Sequence, residues 1–310
     1  MGEAAALLSA LSWAATSVLM VTLSRRISGT TQTALRLVIA AVILPLLVIG
    51  TGRTSEISAA SVGVVLAMAT SGLLGFGLGD AIYTRALALE GLQRTFPVVQ
   101  AVFLSTTTLG GVLLLGEPFD WTLPLGALFV GTGSYVLVVR AAPVAAPAEA
   151  LPTAGDEGAV LRSVPSRWTA MEGYAALLVA PLLWTTATML LARESADLGA
   201  LAAGALRTPA AAIGMLAVTV GTRLPELRRA VIDRRTMAVV AVTALTGSVA
   251  GTLLYTFAVL EAGAARTAVL TGASPLLALS LAIAFLGERL SRASLVGTLL
   301  CVAGILLTVS

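Results

Sequence analysis

Apolar residues occur along this chain in runs too long for a soluble interior. Ten such runs can be drawn: residues 4–24, 31–50, 59–89, 96–116 and 123–139, then 172–192, 198–221, 237–260, 268–286 and 293–309. Each reaches the roughly 17–25 residues with which a helix crosses a hydrocarbon core about 30 Å thick. None alternates with period two, and each is about twice as long as a barrel strand, so helices are predicted throughout. The expected fold is an all-α integral membrane protein of ten transmembrane helices.

The pattern fails once, at residues 141–167, where Pro143, Pro147, Pro152 and Pro165 stand among Ala, Gly and acidic residues. No apolar period is present, so an extended linker is predicted. The chain then divides into a five-helix unit at 1–140, a linker at 141–170 and a second unit at 171–310.

The polar residues that interrupt the runs recur at a spacing of 171. Trp13 returns as Trp184, Leu35-Arg36 as Leu206-Arg207, and Gly50-Thr51 as Gly221-Thr222. Leu89-Glu90 returns as Leu260-Glu261, Gly116-Glu117 as Gly287-Glu288, and Gly126 and Gly133 as Gly297 and Gly304. One shared Trp would be chance in so Ala- and Leu-rich a chain; this set is a duplication. With five spans each, the second unit must enter the membrane in the opposite sense, giving two inverted five-helix repeats, an arrangement typical of secondary transporters.

Loop charge agrees with opposite senses. Arg25 and Arg26 follow the first span, whereas the second unit carries Arg223, Arg228, Arg229, Arg234 and Arg235 after its second span. The odd-numbered loops hold 13 Arg, and the others only Arg53, Arg193 and Arg266. Both termini therefore share a side, and the positive-inside rule places that side away from the cytoplasm.

Composition narrows the chemistry. Charged residues make up 11% of the chain, against about 25% in soluble proteins. All 19 basic residues are Arg, mostly in short loops, so the basic balance marks sidedness and not nucleic-acid binding. Without Lys no phosphate-binding P-loop can be completed. Without His, and with Cys301 alone, no zinc set or nucleophile–base pair is available. No catalytic residue, metal site or cofactor is expected. The amino end lacks the basic stretch of a cleavable signal, and the first run is long enough to span by itself.

In order and in two copies, these residues resemble the EamA family of the drug/metabolite transporter superfamily. Arg36 and Arg207 fall early in second helices, and Ala86-Leu87 near the end of a third. Ser274-Pro275 falls in the middle of a fourth helix, and Gly116-Glu117-Pro118-Phe119 and Gly287-Glu288-Arg289-Leu290 close fourth helices. The first unit departs from the pattern at Pro97 and at Gly79-Asp80. The resemblance implies a secondary transporter of a small metabolite such as an amino acid, an exporter of the cell membrane. Spans one to four and six to nine would line the path, with five and ten peripheral. It also implies cytoplasmic termini, against the Arg count. A lipid flippase is the alternative, and a membrane enzyme the more distant one.

Eight residues are candidates to line a substrate cavity: Trp13, Arg36, Asp80, Tyr83, Gln100, Trp184, Arg207 and Tyr255. A charge at mid-bilayer costs about 2.5–3.5 kcal/mol on the insertion scale, so Asp80 and Arg85 stand out. The plainer alternative is that the 31-residue third run emerges at the interface before Arg85. Arg36 and Arg207 lie within reach of opposite headgroup layers, as gate residues or snorkelling anchors. Trp13 and Trp184 sit near mid-span, away from the usual aromatic belt, as cavity walls or packing. Trp121, Trp168 and Tyr174 read as interfacial anchors, Glu117 and Glu288 as partners of helix ends. The expected partners are a small-molecule substrate, the bilayer and a coupling proton, with the chain a monomer or homodimer and no nucleic acid.

Overall fold

In a bilayer every backbone polar group needs a partner inside the protein, and helices supply it. The computed structural model describes residues 1–24, 26–90, 92–139, 167–194, 198–286 and 291–310. Among these, helices and no strands occur. The linker and the segment Gly287-Glu288-Arg289-Leu290 lie outside them, as does Arg25.

The first unit holds α1 (Gly2–Ser24), α2 (Gly29–Gly50), α3 (Thr54–Ala59), α4 (Val62–Gly72), α5 (Asp80–Glu90), α6 (Leu92–Leu115) and α7 (Thr122–Val139). The second holds α8 (Arg167–Glu194), α9 (Ala200–Ile232), α10 (Arg234–Thr243), α11 (Thr252–Ala262), α12 (Ala264–Thr271), α13 (Ser274–Leu286) and α14 (Arg292–Val309). Eight helices among the described residues are long and apolar enough to cross a membrane, and Thr122–Leu137 is a shorter apolar one.

Several boundaries differ from the expected ones. The third run starts only at Val62, after the short helix α3. Helix α9 continues past the apolar run to Ile232 through a kink at Arg223 (φ −141°, ψ 30°). Its last turns are charged, and Pro225 suits the opening of a new helical turn. The ninth run is split at Gly272-Ala273 between α12 and α13.

Helices α4 and α5 are joined by a π-helical stretch, Leu73–Gly79, and α10 and α11 by another, Ala244–Gly251. Each pair runs on as one rod. Glycines at 75, 77 and 79 and at 247 and 251 tolerate the widened turn, which strains the i−4 hydrogen-bond ladder. Hydroxyls from a neighbouring helix compensate. Ser12 Oγ donates to the Thr246 carbonyl at 2.5 Å and Ser9 Oγ to that of Gly251 at 2.9 Å. Elsewhere Thr side chains return to their own helix, as Thr208 does to Gly204 and Thr308 to Gly304, which hides the hydroxyl in an apolar setting.

The packing is reciprocal. Helix α1 packs on the α10–α11 rod and α8 on the α4–α5 rod. Helix α1 also meets α12 and α13, and α8 meets α6. Helix α2 pairs with its counterpart α9, and α7 with α14. Both self-pairs run antiparallel: Leu44 faces Gly204, while Leu37 packs with Ala212 and Met215. In the second pair a Cβ on Gly133 would lie 2.7 Å from the Gly297 carbonyl, and one on Gly304 2.8 Å from that of Gly126. Only glycine lets two backbones approach this closely.

Candidate functional site

The two repeated tryptophans occupy equivalent seats. The Trp13 indole rests on Gly251 and the Trp184 indole on Gly79, each at the end of the π stretch in the other unit. A Cβ at 251 would come 2.7 Å from Trp13 Nε1, and one at 79 would come 2.6 Å from Trp184 Cδ1. Each ring also stacks on a tyrosine four residues beyond its glycine seat, and it is the polar contacts that differ. Trp184 Nε1 donates to Asp80 Oδ1 at 3.0 Å, and its ring meets Tyr83 at 5.1 Å and Phe103 edge-on at 6.1 Å. Trp13 stacks on Tyr255 at 5.4 Å, and the Tyr255 hydroxyl pairs with Thr188 Oγ1 at 2.8 Å.

Arg207 lies beside Tyr255 and is 2% exposed. Its guanidinium carbon sits 4.7 Å from the centre of the Phe76 ring, and Nη1 donates to Thr256 Oγ1 at 3.5 Å. Nε is buried without an acceptor. Arg36, its repeat partner, is placed differently, with Nη1 2.7 Å from Met20 Sδ. Gln100 stands apart at the α12–α13 break, where a Cβ on Gly272 would meet its Nε2 at 2.6 Å.

The eight candidates thus fall into two aromatic clusters, with Arg36 and Gln100 outside them. The clusters adjoin. Trp184 and Thr188 are one turn apart on α8, and Phe76 and Asp80 one turn apart on the α4–α5 rod. A cavity of about 800 Å³ opens beside them, lined by Ala192 of α8, Leu198 and Leu201 near the start of α9, Leu253 and Phe257 of α11, and Arg53. None of the eight candidates borders it. Arg85 is about half exposed and paired with Glu172 at 2.8 Å.

A second symmetric feature was not found in the sequence. After α2 the chain reads Gly50-Thr51-Gly52-Arg53-x-x-Glu56, and within α9 Gly221-Thr222-Arg223-x-x-Glu226. Glu226 accepts the Ser28 N–H at 2.5 Å, and Glu56 accepts the Gly199 N–H at 2.8 Å. Ser28 and Gly199 are themselves 171 apart. Each unit's carboxylate therefore holds the entry to the other unit's second helix, steadied by Arg223 (3.5 Å) and Arg53 (3.4 Å). The clamps lie at opposite ends of the α2–α9 pair. The repeated Arg-x-x-Glu was the available signal, hidden by one extra residue, Gly52 (φ +71°), which shifts it off the common spacing.

Glu117 crosses between units in the same way. Its oxygens accept the N–H groups of Ala264 (2.6 Å) and Ala265 (3.1 Å), a carboxylate at a helix N-terminus as the macrodipole favours. Its counterpart Glu288 lies outside the described residues.

A family model decides what this architecture belongs to: it matches residues 1–139 and again 171–310. The chain belongs to the EamA-like transporter family. Its partners are accordingly a small-molecule substrate and the lipid bilayer, and its place is that of a multi-pass membrane protein. Members of the EamA family are transporters and not enzymes. The fold recurs in a solved structure titled only as the crystal structure of a protein, with a TM-score of 0.72, 18% identity, and coverage of 99% of this chain and 95% of that one. No curated protein matches the chain.

Proposed function

We propose that this EamA-like protein is a secondary transporter that exports a small metabolite across the cell membrane. Its two units, residues 1–140 and 171–310 joined by a linker, lie inverted in the bilayer as ten spans. The path runs between them, past Trp13, Asp80, Tyr83, Trp184, Arg207 and Tyr255, with Arg36 and Gln100 at its margins. Export by alternating access requires two gates that open in turn, and one observation carries the proposal: the paired clamps Glu226–Ser28 and Glu56–Gly199 at the two ends of the α2–α9 pair. Each is a few charge-assisted hydrogen bonds, which are strong enough to hold a closed end yet can be broken singly. Asp80 carries the coupling proton on this reading, which its bond from the Trp184 indole N–H on α8 at 3.0 Å supports.

The test is flux into and out of sealed vesicles holding the purified chain, with an imposed proton gradient and a broad panel of labelled metabolites. Substrate-specific flux that exceeds that of empty vesicles is the expected result. No flux for any compound, from protein that remains folded in the bilayer, overturns the proposal.

A further inference from the structure

The clamps, the tryptophan seats and the tryptophan–tyrosine stacks are built twice, but the contact of Arg207 with Phe76 is built once. At the common spacing the counterpart of Phe76 is Gly247, whereas Tyr255, four residues beyond the Gly251 seat, answers to Tyr83, four beyond the Gly79 seat, and Thr188 answers to Ser17. The duplication therefore explains the tyrosine but not the Phe76 ring under Arg207, since Arg36 meets Met20 instead, and a single asymmetric ligand on a two-fold frame needs such a difference.

What Arg207 lacks is equally specific. It is 2% exposed, its Nε has no acceptor, and no described carboxylate pairs with it. The groups in contact with it are neutral, the Phe76 ring and the Thr256 hydroxyl at 3.5 Å, with Tyr255 next to Thr256 in the chain. Cation–π contact and one long hydrogen bond are weak compensation for a buried guanidinium. An oxyanion would supply it, since the planar fork of N–H donors matches a carboxylate or phosphate two bonds at a time. A cationic ligand would face like charge in a medium of low dielectric.

We infer that Arg207 is the charge-selective element of this transporter and that the cargo carries an oxyanion, a carboxylate or a phosphate, which docks on the guanidinium between Tyr255 and Thr256. This rests on the transporter reading and narrows its cargo. The guanidinium is covered in the conformation described, so the anion reaches it when the helices around it part. The approach on this reading is through the cavity beside α8, α9 and α11, in which Ala192 lies one turn, about 6 Å along the helix, beyond Thr188.

The experiment uses the full chain and matched probes: isovalerate against isovaleramide, phenylacetate against phenylacetamide and phenethylamine, and phenyl phosphate against phenol. Binding is read by thermal stabilisation at constant ionic strength, and flux in vesicles. At least one anion should stabilise the wild-type chain and cross the bilayer, while its uncharged or cationic partner does neither; whether carboxylate or phosphate prevails names the oxyanion. Arg207→Gln should weaken anion binding roughly 10- to 100-fold, as for loss of a hydrogen-bonded charge, and Arg207→Lys should restore part of it. Amides or amines that bind as well as the acids, or a folded Arg207→Gln chain that keeps full anion affinity, overturn the inference. If Arg207→Gln does not fold, the acid–amide comparison on the wild-type chain decides alone. Flux of neutral or cationic probes without flux of anions rejects the charge assignment and leaves transport standing, whereas absence of flux across the broad metabolite panel as well rejects transport itself.

Discussion

A methyl group at position 79 would lie 2.6 Å from Trp184 Cδ1, and one at 251 would lie 2.7 Å from Trp13 Nε1. An indole wedged between helices cannot swing aside as the end of a flexible chain would. Gly79→Ala and Gly251→Ala should each therefore destabilise the chain by about 1–3 kcal/mol, the usual cost of overpacking, seen as a lower melting temperature in detergent. Alanine at Gly221, where no atom lies within 4 Å, is the neutral control. Trp184 also offers a separation of roles. Trp184→Phe keeps a ring against Tyr83 and Phe103 but deprives Asp80 of the indole donor at 3.0 Å. If Asp80 carries the coupling proton, Asp80→Asn should abolish the response of flux to an imposed proton gradient, while Trp184→Phe should shift its pH profile and keep the response. Equal gradient response in Asp80→Asn and wild type would assign Asp80 to packing. The tryptophans were legible in the sequence because they repeat. That they seat on Gly79 and Gly251 was not, because a π turn of seven residues faces one of eight, and periodicity does not reveal where a helix widens.

Between elements, the recurring device is a carboxylate of one unit on the exposed N–H groups that begin a helix of the other. Glu117→Ala should cost about 2 kcal/mol, because it strips a charged acceptor from two N–H groups at the start of α12. Glu117→Gln, which retains an acceptor, should cost less. Melting curves of the two variants measure the difference. The clamps carry a stronger expectation. Glu226→Ala frees the Ser28 end of the α2–α9 pair and Glu56→Ala the Gly199 end, so on an alternating-access cycle they should shift the resting population in opposite directions. Cysteines introduced in turn near each end, labelled with a membrane-impermeant maleimide, report this. Cys301 is fully buried between α7 and α14, so native background should be low. Rates that rise at both ends in both variants would mean general loosening and not gating. Helix positions were readable from the apolar runs, since the bilayer imposes length and composition on each. These clamps were not, because each pairs residues about 140–200 positions apart, and one of them sits in the charged extension of α9 where no apolar pattern exists.

Across the whole molecule, the antiparallel self-pairs α2–α9 and α7–α14 fix a prediction about sidedness that is independent of cargo. If the units are inverted, loops that follow odd-numbered spans share a face, however far apart they lie in sequence. The structure brings two of these loops together: Arg26 pairs with Asp233 at 3.3 Å, and Leu23, Arg26 and Arg235 line one small cavity. Arg53 and Glu56 instead reach Gly199, at the opposite end of α2 and α9. Cysteines at 26 and 233 should accordingly label from one side of oriented vesicles, and cysteines at 53 and 193 only from the other. The side that carries 26 and 233 also carries most of the arginine, and the positive-inside rule makes it cytoplasmic, so it should be labelled in inside-out vesicles. Labelling of 26 and 233 from outside would leave the inverted pairing intact and reverse only its sense in the membrane. Labelling of 26 and 53 from the same side would break it, because α2 then could not span, and the clamps at its two ends could not act as alternate gates.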